Sequence, residues 1–555
     1  MSNRQRTYGR SAPPKDFANV PKANIERSTF DRSHGHKTTM NAGFITPIFL
    51  DEVLPGDTFD LKTSAFGRLT TPIFPLMDNV YFNTHFFFVP NRLVWKNWVK
   101  LQGQQDNPGD SIDFTTPQVK FKKIVPGTLE DYMGLPVALS TTDFKVSSLP
   151  FRAYNKIFND WFRIENFDGE NQHPVYTNDD DDLPQYFTLQ RSAKKHDYFT
   201  SALPAPQKGT ATFAVNSHDL AVSTTLKRSG NAVPDREMSL RFKNASGNMQ
   251  DGHLFQTNGN DVELRFDNGS QNYFANKQIV QFRSGTNDYA ISGLRADSKL
   301  TGSITATVND LRNAFAIQRI LEADARGGTR YFEIIQNLFG VTSPDARLQR
   351  SEYLGGGKSR LDVFAVSQNS ATDSTTPQGN LSSFAPVEFH NHGFKRSFVE
   401  HGHIIGVIII RADITYQNGL NRLWSRKTRY DYYLPAFAHL GEQGILNKEI
   451  YFNGDPAWDE GVFGYQERNS EYRYKPSTIG GLFNSRSTKS LDAWHLSQNF
   501  KTKPTLSLGF LQDDPPFERV VAVPSEHHFM FDFHFTLKCT RPIPARSVPG
   551  LNDHF

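Results

Sequence analysis

Alternation of apolar and polar side chains is the clearest pattern along this chain, and it predicts β-strands. Residues 526–540, EHHFMFDFHFTLKCT, place a row of apolar side chains on one face of an extended backbone. The row consists of Phe529, Phe531, Phe533, Phe535 and Leu537. Residues 79–91 are also strand-like and end near Pro90, which has no N–H to donate to a ladder. Residues 403–416 are apolar on both faces in their middle, so we expect a strand buried on both sides.

Helical spacing is limited to a few stretches. Residues 150–163, PFRAYNKIFNDWFR, have apolar side chains at i, i+3, i+4 and i+7 and begin with a proline, which suits a first helical turn. Residues 309–328 predict a second helix, with Asn309 as its N-cap and two glycines at its end. Shorter helices are predicted within 91–101 and 329–340.

Composition favours a β-rich fold with long connections. The 555 residues include 46 Phe and 19 Tyr, whose rings pack well on a pleated sheet, and 39 Gly and 31 Pro, which favour turns. Many short strands with Gly- and Pro-rich connections are typical of a β-sandwich or β-barrel.

Positive charge is concentrated at the N-terminus. The net charge is +3, but residues 1–40 contain eight basic and three acidic side chains and carry +5, which leaves −2 for residues 41–555. Because residues 1–40 also lack a sustained apolar period, we interpret them as an extended basic arm. Such an arm can neutralise phosphate without reading base sequence.

A polar segment at residues 229–306 differs from its surroundings. Of its 78 residues, 31 are Gly, Asn, Ser or Asp, and short alternating pieces such as 262–266 recur within it. Asn268-Gly269 follows one of these pieces. Asn-Gly after alternation is a strong hairpin signal, because both central residues of a type I′ turn need positive φ. We therefore predict a β-rich surface insertion.

Cysteine content and hydropathy argue against a secreted or membrane-spanning protein. Cys539 is the only cysteine, so no intrachain disulfide and no cysteine-based zinc site can form. The N-terminal residues lack the apolar stretch of a secretory signal. The most apolar run, 404–411, is far shorter than the roughly 20 residues of a membrane helix. We expect a soluble protein that is made and used without export.

Two local motifs suggest chemistry, but a structural role is the better interpretation of each. Gly357-Lys358-Ser359 matches the end of a phosphate-binding loop. The full motif also requires a glycine five residues before Gly357, and that position is occupied by Glu352. A flexible turn is expected there instead. The acidic run at 179–182 is interpreted as a solvated loop, because four adjacent carboxylates cannot all face one ion.

Histidine pairs are the remaining candidates for a reactive or metal-binding site. His401 and His403 would share one face of a strand, which suits two imidazole ligands, but no third ligand is evident. We interpret this pair as surface or interface histidines, and we treat the pairs at 390/392 and 527/528 in the same way. No Ser-His-Asp or Cys-His constellation is apparent, and Cys539 is expected to be a packing residue. We therefore predict no enzyme activity, no cofactor and no metal site.

Long stretches of the chain resemble one known family. Residues 27–98, beginning RSTFDRSHGHKTTMNAGFITPIFLDEVLPGD, are similar to the N-terminal part of the major capsid protein family of gokushoviruses. These are small single-stranded DNA bacteriophages of the microvirus family. Later matches are PFRAYNKIFNDWFRIEN, LFGVTSPDARLQRSEYLGG and NRLWSRKTRYDYYLPAFAHLGEQ. The resemblance covers most of the chain, and residues 229–306 are its least similar part.

The resemblance implies a mainly β fold, namely an eight-stranded antiparallel viral jelly roll with two sheets. Long loops would carry short helices and a β-rich surface insertion. The expected organisation is a basic N-terminal arm at 1–40, the first part of the jelly-roll core at 41–228, the surface insertion at 229–306 and the remainder of the core at 307–555.

The resemblance also implies a function. The chain would self-assemble into a T = 1 icosahedral shell of sixty copies around circular single-stranded DNA, in the cytoplasm of a bacterial host. Further expected partners are a small internal DNA-binding protein, a pilot or minor capsid protein and a host cell-surface receptor, with no membrane insertion. In this family an exposed insertion forms a protrusion at each threefold axis. We assign residues 229–306 to it and expect it to serve in host attachment.

Two sets of residues are predicted as contact sites. The candidates for contact with DNA lie in the arm and are Arg4, Arg6, Arg10, Lys15, Lys22 and Arg27. The host-facing candidates lie in the insertion and are Phe242, Asn258, Phe266, Asn268 and Tyr273. The junction between arm and core is expected at DRSHGHKTTM, residues 31–40. There Arg32 and Lys37 can face phosphate or a neighbouring subunit, and the two histidines are expected to face a subunit.

Two other classes of protein are alternatives to a capsid protein. A secreted β-sandwich that binds or processes carbohydrate is the main alternative, because aromatic-rich β-proteins often bind sugars. The missing signal sequence and the basic arm argue against it. A phage attachment fibre would require trimeric repeats, which we do not find in this sequence.

Overall fold

A computed structural model describes residues 26–137, 143–169, 173–208, 349–374, 377–438 and 440–546. Between 209 and 348 it describes the strands and the helix given below, together with residues 333, 336 and 337. The strands are β1 (Ser28–Asp31), β2 (His34–Met40), β3 (Ile45–Val53), β4 (Thr58–Leu69), β5 (Val80–Pro90), β6 (Gln118–Phe121), β7 (Phe144–Ser147), β8 (Ala221–Arg228), β9 (Ser239–Lys243), β10 (Met249–Gln256), β11 (Val262–Phe266), β12 (Val280–Ser284), β13 (Asn287–Ala290), β14 (Leu294–Thr301), β15 (Glu352–Arg360), β16 (Phe364–Ser367), β17 (Leu381–Phe384), β18 (Pro386–Ser397), β19 (Gly402–Ala412), β20 (Thr415–Tyr416), β21 (Glu442–Leu446), β22 (Val462–Glu467), β23 (Ser477–Thr478) and β24 (Phe529–Arg541).

Helices occur mainly as single turns in the connections. The α-helices are α1 (Asn91–Val94), α2 (Trp98–Leu101), α3 (Leu129–Tyr132), α4 (Leu149–Ile157), α5 (Val308–Arg326), α6 (Asn447–Ile450), α7 (Pro456–Asp459) and α8 (Leu508–Leu511). The predicted helix at 150–163 is confirmed, since α4 continues as a π-helix at Phe158–Phe162. The predicted helix at 309–328 corresponds to α5, and most of 329–340 lies outside the described residues. None of the described helices is long and apolar enough to span a membrane.

Among the described residues, the main sheet contains nine antiparallel strands, eight of which follow the order β1–β24–β4–β18–β15–β5–β19–β3. β2 is the ninth strand, and it continues β1 along the same edge of β24. The order divides at β18–β15, where one residue pair, Gly356 and Gly393, joins the strands. This junction separates two groups of strands, β1/β2–β24–β4–β18 and β15–β5–β19–β3. The two groups correspond to the two sheets of a jelly roll.

Aromatic contacts show that the two groups face each other. The ring of Phe82 in β5 lies 5.3 Å from that of Phe529 and 5.6 Å from that of Phe531 in β24. Phe49 in β3 lies 5.3 Å from Phe535 in β24. These strands are not hydrogen-bonded neighbours, so the rings meet across the core of a curled sheet. The predicted mainly β, antiparallel jelly-roll fold is confirmed.

β24 confirms the prediction from alternation. The side chains of the predicted row are buried, and those between them are exposed or half-buried. Rings along the row also contact one another, with centroids 5.1 Å apart for Phe531 and Phe533. Cys539 is buried on the same face, so it is a packing residue as expected.

β19 is buried on both faces, as predicted from its apolar run. On one face Ile404 and Ile408 join the core between the two sheets. On the other, Ile405 and Ile409 pack in a second apolar cluster that includes residues of α1 and α4. Tyr154 of α4 fixes this outer layer, because its hydroxyl donates to the carbonyl of Ile45 at 2.7 Å.

The chain divides into two compact units, one formed by 1–209 with 320–555 and the other by 210–319. Within the second unit, five antiparallel strands are ordered β11–β10–β9–β12–β13, and β8 pairs with β14. The predicted insertion at 229–306 falls within this unit. The predicted turn at Asn268-Gly269 lies outside the described residues, and the division of the chain into four segments stays a prediction.

Removing a ring that bridges the two sheets should destabilise the subunit strongly. Phe82→Ala should lower the free energy of unfolding by about 3–5 kcal/mol, because it leaves a cavity in a fully buried site. Phe66→Ala on β4 is the matched control, since Phe66 is 60% exposed, and it should change that energy by less than about 0.5 kcal/mol. Urea denaturation of both variants measures these free energies of unfolding. Equal decreases in the two variants would contradict the assignment of Phe82 to the core.

Candidate assembly and nucleic-acid surfaces

The junction at 31–40 is part of the sheet. β2 pairs with β24 from His34 opposite Phe535 to Met40 opposite Phe529. Arg32 donates to both carboxylate oxygens of Asp51, at 2.5 and 3.1 Å, and Lys37 pairs with Asp532 of β24. Both cations are therefore paired with carboxylates of their own chain.

The two histidines of the junction lie on phenylalanine rings. The ring of His34 is 5.2 Å from that of Phe535, and the ring of His36 is 6.3 Å from that of Phe533. Burial lowers the pKa of His36, so this imidazole favours its neutral form. Whether these histidines also face a subunit stays a prediction. Among the described residues, no group of three or more His, Cys, Asp or Glu side chains is placed to hold a metal ion.

Of the six candidates for DNA contact, the structure describes one. The guanidinium of Arg27 is exposed and donates to the carbonyl of Gly56 at 2.6 Å and to the hydroxyl of Thr58 at 3.1 Å. The other five candidates are Arg4, Arg6, Arg10, Lys15 and Lys22, and they lie outside the described residues. The role of this set in DNA contact stays a prediction.

Of the five host-facing candidates, two lie in described strands of the second unit. Phe242 is in β9 and pairs with Gln250 and Val280, so it has a strand on either side. Phe266 ends β11. The candidates Asn258, Asn268 and Tyr273 lie outside the described residues, and the host-facing role of all five stays a prediction.

The Gly-Lys-Ser motif belongs to strand β15, so the expected flexible turn is wrong. A Cβ on Gly356 would lie 2.0 Å from the carbonyl oxygen of Thr84, and one on Gly357 would lie 2.3 Å from the ring of His392. The glycines are needed because three strands approach closely where the two sheets join. The ammonium of Lys358 lies 3.9 Å from the centre of the Tyr81 ring, and the extended backbone forms no phosphate cradle.

The acidic run at 179–182 is solvated in part only. Its first three carboxylates belong to exposed residues, whereas Asp182 is buried and accepts two hydrogen bonds from Arg152, at 2.6 and 3.1 Å. Arg152 on α4 also donates to the carbonyl of Val94. This buried pair fixes the outer helical layer. The solvated-loop interpretation is therefore wrong for Asp182, because its partner is an arginine 30 residues away.

The histidine pairs have different environments. His403 is buried in β19, and burial lowers its pKa to about 4. His392 is also buried and contacts the hydroxyls of Thr84 and Ser359, at 3.0 and 3.1 Å. The interpretation as surface or interface histidines is therefore wrong for His403 and His392, because both are buried inside this chain. It fits His390, which is exposed.

Sequence reasoning missed a surface formed by 422–433 and 470–475, which we call the aromatic–basic surface. Its exposed aromatic residues are Trp424, Tyr430, Tyr432, Tyr433, Tyr472 and Tyr474. Arg426 lies at its centre, 4.5 Å from the ring centre of Tyr472 and 5.4 Å from that of Tyr432. The signal is visible in RLWSRKTRYDYY, residues 422–433, where aromatic rings and cations interleave.

Buried ion pairs hold this surface. Arg426 donates to Glu471 at 3.2 Å, and Arg422 donates to Glu449 at 3.1 Å. Glu449 is buried and also accepts from the hydroxyl of Tyr198 at 2.9 Å. Burial raises the pKa of Glu449, and the nearby Arg422 guanidinium opposes that effect. Removing one partner of such a pair would leave an uncompensated buried charge.

Comparison with known proteins gives consistent matches along the chain. The family model described as capsid protein (F protein) matches residues 18–551. Capsid protein VP1 of Chlamydia phage 1 is 42% identical, over 96% of this chain and 97% of the relative. Capsid protein VP1 of Bdellovibrio phage phiMH2K is 42% identical, over 97% and 98% of the two chains. Capsid protein VP1 of Spiroplasma virus 4 is 34% identical, over 97% of each.

The glycine contact between the two sheets can be tested by adding one methyl group. Gly356→Ala should lower the free energy of unfolding by at least about 1–3 kcal/mol, because the new Cβ cannot avoid the Thr84 carbonyl. Gly109→Ala is the matched control, since nothing lies within 4 Å of a Cβ at that position. Thermal unfolding measures the stability of both variants. The same measurement with ATP tests whether the Gly-Lys-Ser motif binds a nucleotide. A tolerated Gly356→Ala, or stabilisation by ATP, would contradict the structural role.

Proposed function

Because this chain belongs to the phage capsid protein (F protein) family, we propose that it builds a T = 1 icosahedral shell of sixty copies around circular single-stranded DNA. The membership predicted from sequence resemblance is confirmed. The chain is a major capsid protein, hence a structural component of the virion that assembles with its own copies and not an enzyme. These matches give no support to the carbohydrate-binding alternative.

The observation that carries the proposal is a complete jelly-roll strand order in a chain that matches capsid proteins almost end to end. Each contact in a closed shell needs a buried patch of about 1,000 Å² or more. The connections from β5 to β15 and from β19 to β24 are long enough to supply such patches. The sheets would then make the subunit rigid, and the connections would form the contacts with neighbouring subunits.

The proposed role of the N-terminal arm is to neutralise the packaged DNA. Residues 1–40 carry +5, and the rest of the chain carries −2. Arg27, Arg32 and Lys37 already have partners in their own chain, so the proposal assigns phosphate contact mainly to the five earlier cations. A small internal DNA-binding protein and a pilot or minor capsid protein are further proposed partners, and assembly is proposed to take place in the bacterial cytoplasm.

The proposed role of residues 229–306 is to form the outward protrusion at each threefold axis and to contact a host receptor. The polar, turn-rich composition of this segment suits a solvated surface. Phe242 and Phe266 belong to the described strands that would support such a protrusion.

Shell formation is the first test. The chain expressed in bacteria should sediment as a large particle, and negative-stain microscopy should show closed shells of one diameter. A chain that stays monomeric in the bacteria that express it and after purification would contradict the proposal.

Neutralising the arm should weaken DNA retention. On a single strand, each lost phosphate contact lowers the slope of log K against log salt by about 0.7, so Arg4→Gln/Arg6→Gln/Arg10→Gln should lower it by up to about 2. Binding of a labelled oligonucleotide measures the slope. The matched control, Lys62→Gln/Lys122→Gln/Lys538→Gln, removes three exposed cations elsewhere and should leave the slope unchanged. An unchanged slope in the arm variant would show that those arginines face elsewhere.

Replacing residues 229–306 with a short glycine–serine linker should leave shell formation intact and reduce infection. The reason is that the segment is proposed to contact the receptor and not to build the core. Particle counts by microscopy and plaque titres separate the two effects. Loss of shells would mean that the segment is needed for assembly.

A further inference from the structure

The aromatic–basic surface exposes six large aromatic side chains in two segments of the chain. The side chain of Trp424 is 74% exposed and that of Tyr430 is 63% exposed. The other four tyrosines of the surface are about half exposed. Large aromatic side chains dominate the energetics of cores and interfaces, so a cluster exposed in this way indicates a bound partner.

Three cations of this surface have no ionic partner in the part of the chain that the structure describes. They are Lys427, Arg429 and Lys475. The other three arginines are paired, Arg422 with Glu449, Arg426 with Glu471 and Arg473 with Glu467. Asp431 is the one carboxylate within 422–433, and it accepts from the backbone N–H groups of Lys427 and Thr428. The unpaired positive charges therefore lie beside the exposed rings.

The surface is also preorganised. Arg426 contacts two rings and is anchored to the half-buried carboxylate of Glu471. The rings of Tyr433 and Tyr472 lie 6.3 Å apart, which ties the two segments together. A ligand that binds here does not have to order the loop, so little conformational entropy is lost on binding.

We propose that the aromatic–basic surface is a binding site for single-stranded DNA. Unpaired bases would stack on the exposed rings, and Lys427, Arg429 and Lys475 would neutralise the adjacent phosphates. The inference rests on the proposed function, in which the shell encloses single-stranded DNA. It adds a folded site on the core, separate from the arm.

The charges favour a nucleic acid over another subunit as the occupant. Lysine is depleted in protein interfaces, and a copy of this chain would have to bring carboxylates to three unpaired cations. Duplex DNA is disfavoured, because its bases are stacked inside the helix and cannot reach the tyrosine rings. A single strand supplies both ring faces and phosphates along one path.

Two variants of the full-length chain separate stacking from charge. The ring variant is Trp424→Ala/Tyr430→Ala/Tyr474→Ala, and the charge variant is Lys427→Gln/Arg429→Gln/Lys475→Gln. The probe is a fluorescein-labelled oligo(dT) of about 20 nucleotides, read by anisotropy between 50 and 300 mM salt. A duplex of equal length is measured in parallel. None of the substituted residues forms an ion pair in the described part of the chain, and unfolding midpoints check that both variants fold.

The ring variant should bind oligo(dT) at least about tenfold more weakly at every salt concentration, with an unchanged salt slope. Trp424→Phe/Tyr430→Phe/Tyr474→Phe keeps the rings and should restore most of the binding. The charge variant should lower the slope by up to about 2, whereas the Lys62/Lys122/Lys538 control should not. The duplex should bind more weakly than oligo(dT), and the ring variant should not change its affinity.

Wild-type affinity and slope in both variants would overturn the inference. Loss of shells with unchanged oligonucleotide binding would also overturn it, and would identify the surface as a subunit contact. Because binding is measured on unassembled protein, it is independent of shell formation. Failure of the wild-type chain to form shells would therefore count against the proposed function, while the oligonucleotide data still decide this site.

Discussion

The contact between phenylalanine rings of the two facing sheets is the interaction on which the rest of the subunit depends. Phe529, Phe531 and Phe535 of β24 meet Phe82 and Phe49 across the core. β24 lies near the C-terminus, yet it pairs with β1 and β2 from the N-terminal part of the chain and with β4. The core is therefore complete only when residues about 500 positions apart have paired. Such non-local pairing makes folding slow.

Local patterns predicted the strands well, whereas their order required the structure. Alternation in β24 and the doubly buried run of β19 are properties of adjacent residues, so the sequence alone is enough to recognise them. The pairing of β24 with β1, β2 and β4 depends on partners hundreds of residues away, and no periodicity encodes it. The resemblance to capsid proteins supplied the jelly-roll expectation, which the strand order then confirmed.

Sequence patterns do not predict the environment of a single residue where a distant partner determines it. Asp182 ends an acidic run that suggests exposure to solvent, but its carboxylate is buried because it pairs with the buried Arg152 on α4. The glycines of β15 suggest a turn, but they allow three backbones to meet. The aromatic–basic surface was missed for the same reason, because its rings and cations come from two segments about 40 residues apart. In each case the residue type was informative only once its neighbours in space were known.

Charge on this subunit separates into two kinds. Many cations near the sheets are matched by carboxylates of the same chain, as Arg32 is by Asp51 and Lys37 by Asp532. The exceptions among the described residues include the three cations of the aromatic–basic surface, and the arm adds further positive charge in sequence. In the proposed shell, both would face the packaged DNA, and the largely neutral remainder would let copies approach one another without strong repulsion.

A cryo-electron microscopy reconstruction of the DNA-filled particle tests this arrangement most directly. We expect sixty jelly-roll subunits, with the arm and the aromatic–basic surface on the inner side in contact with nucleic-acid density, and residues 229–306 on the outer side. A shell in which the aromatic–basic surface faces outward or lies between subunits, with DNA density elsewhere, would contradict it.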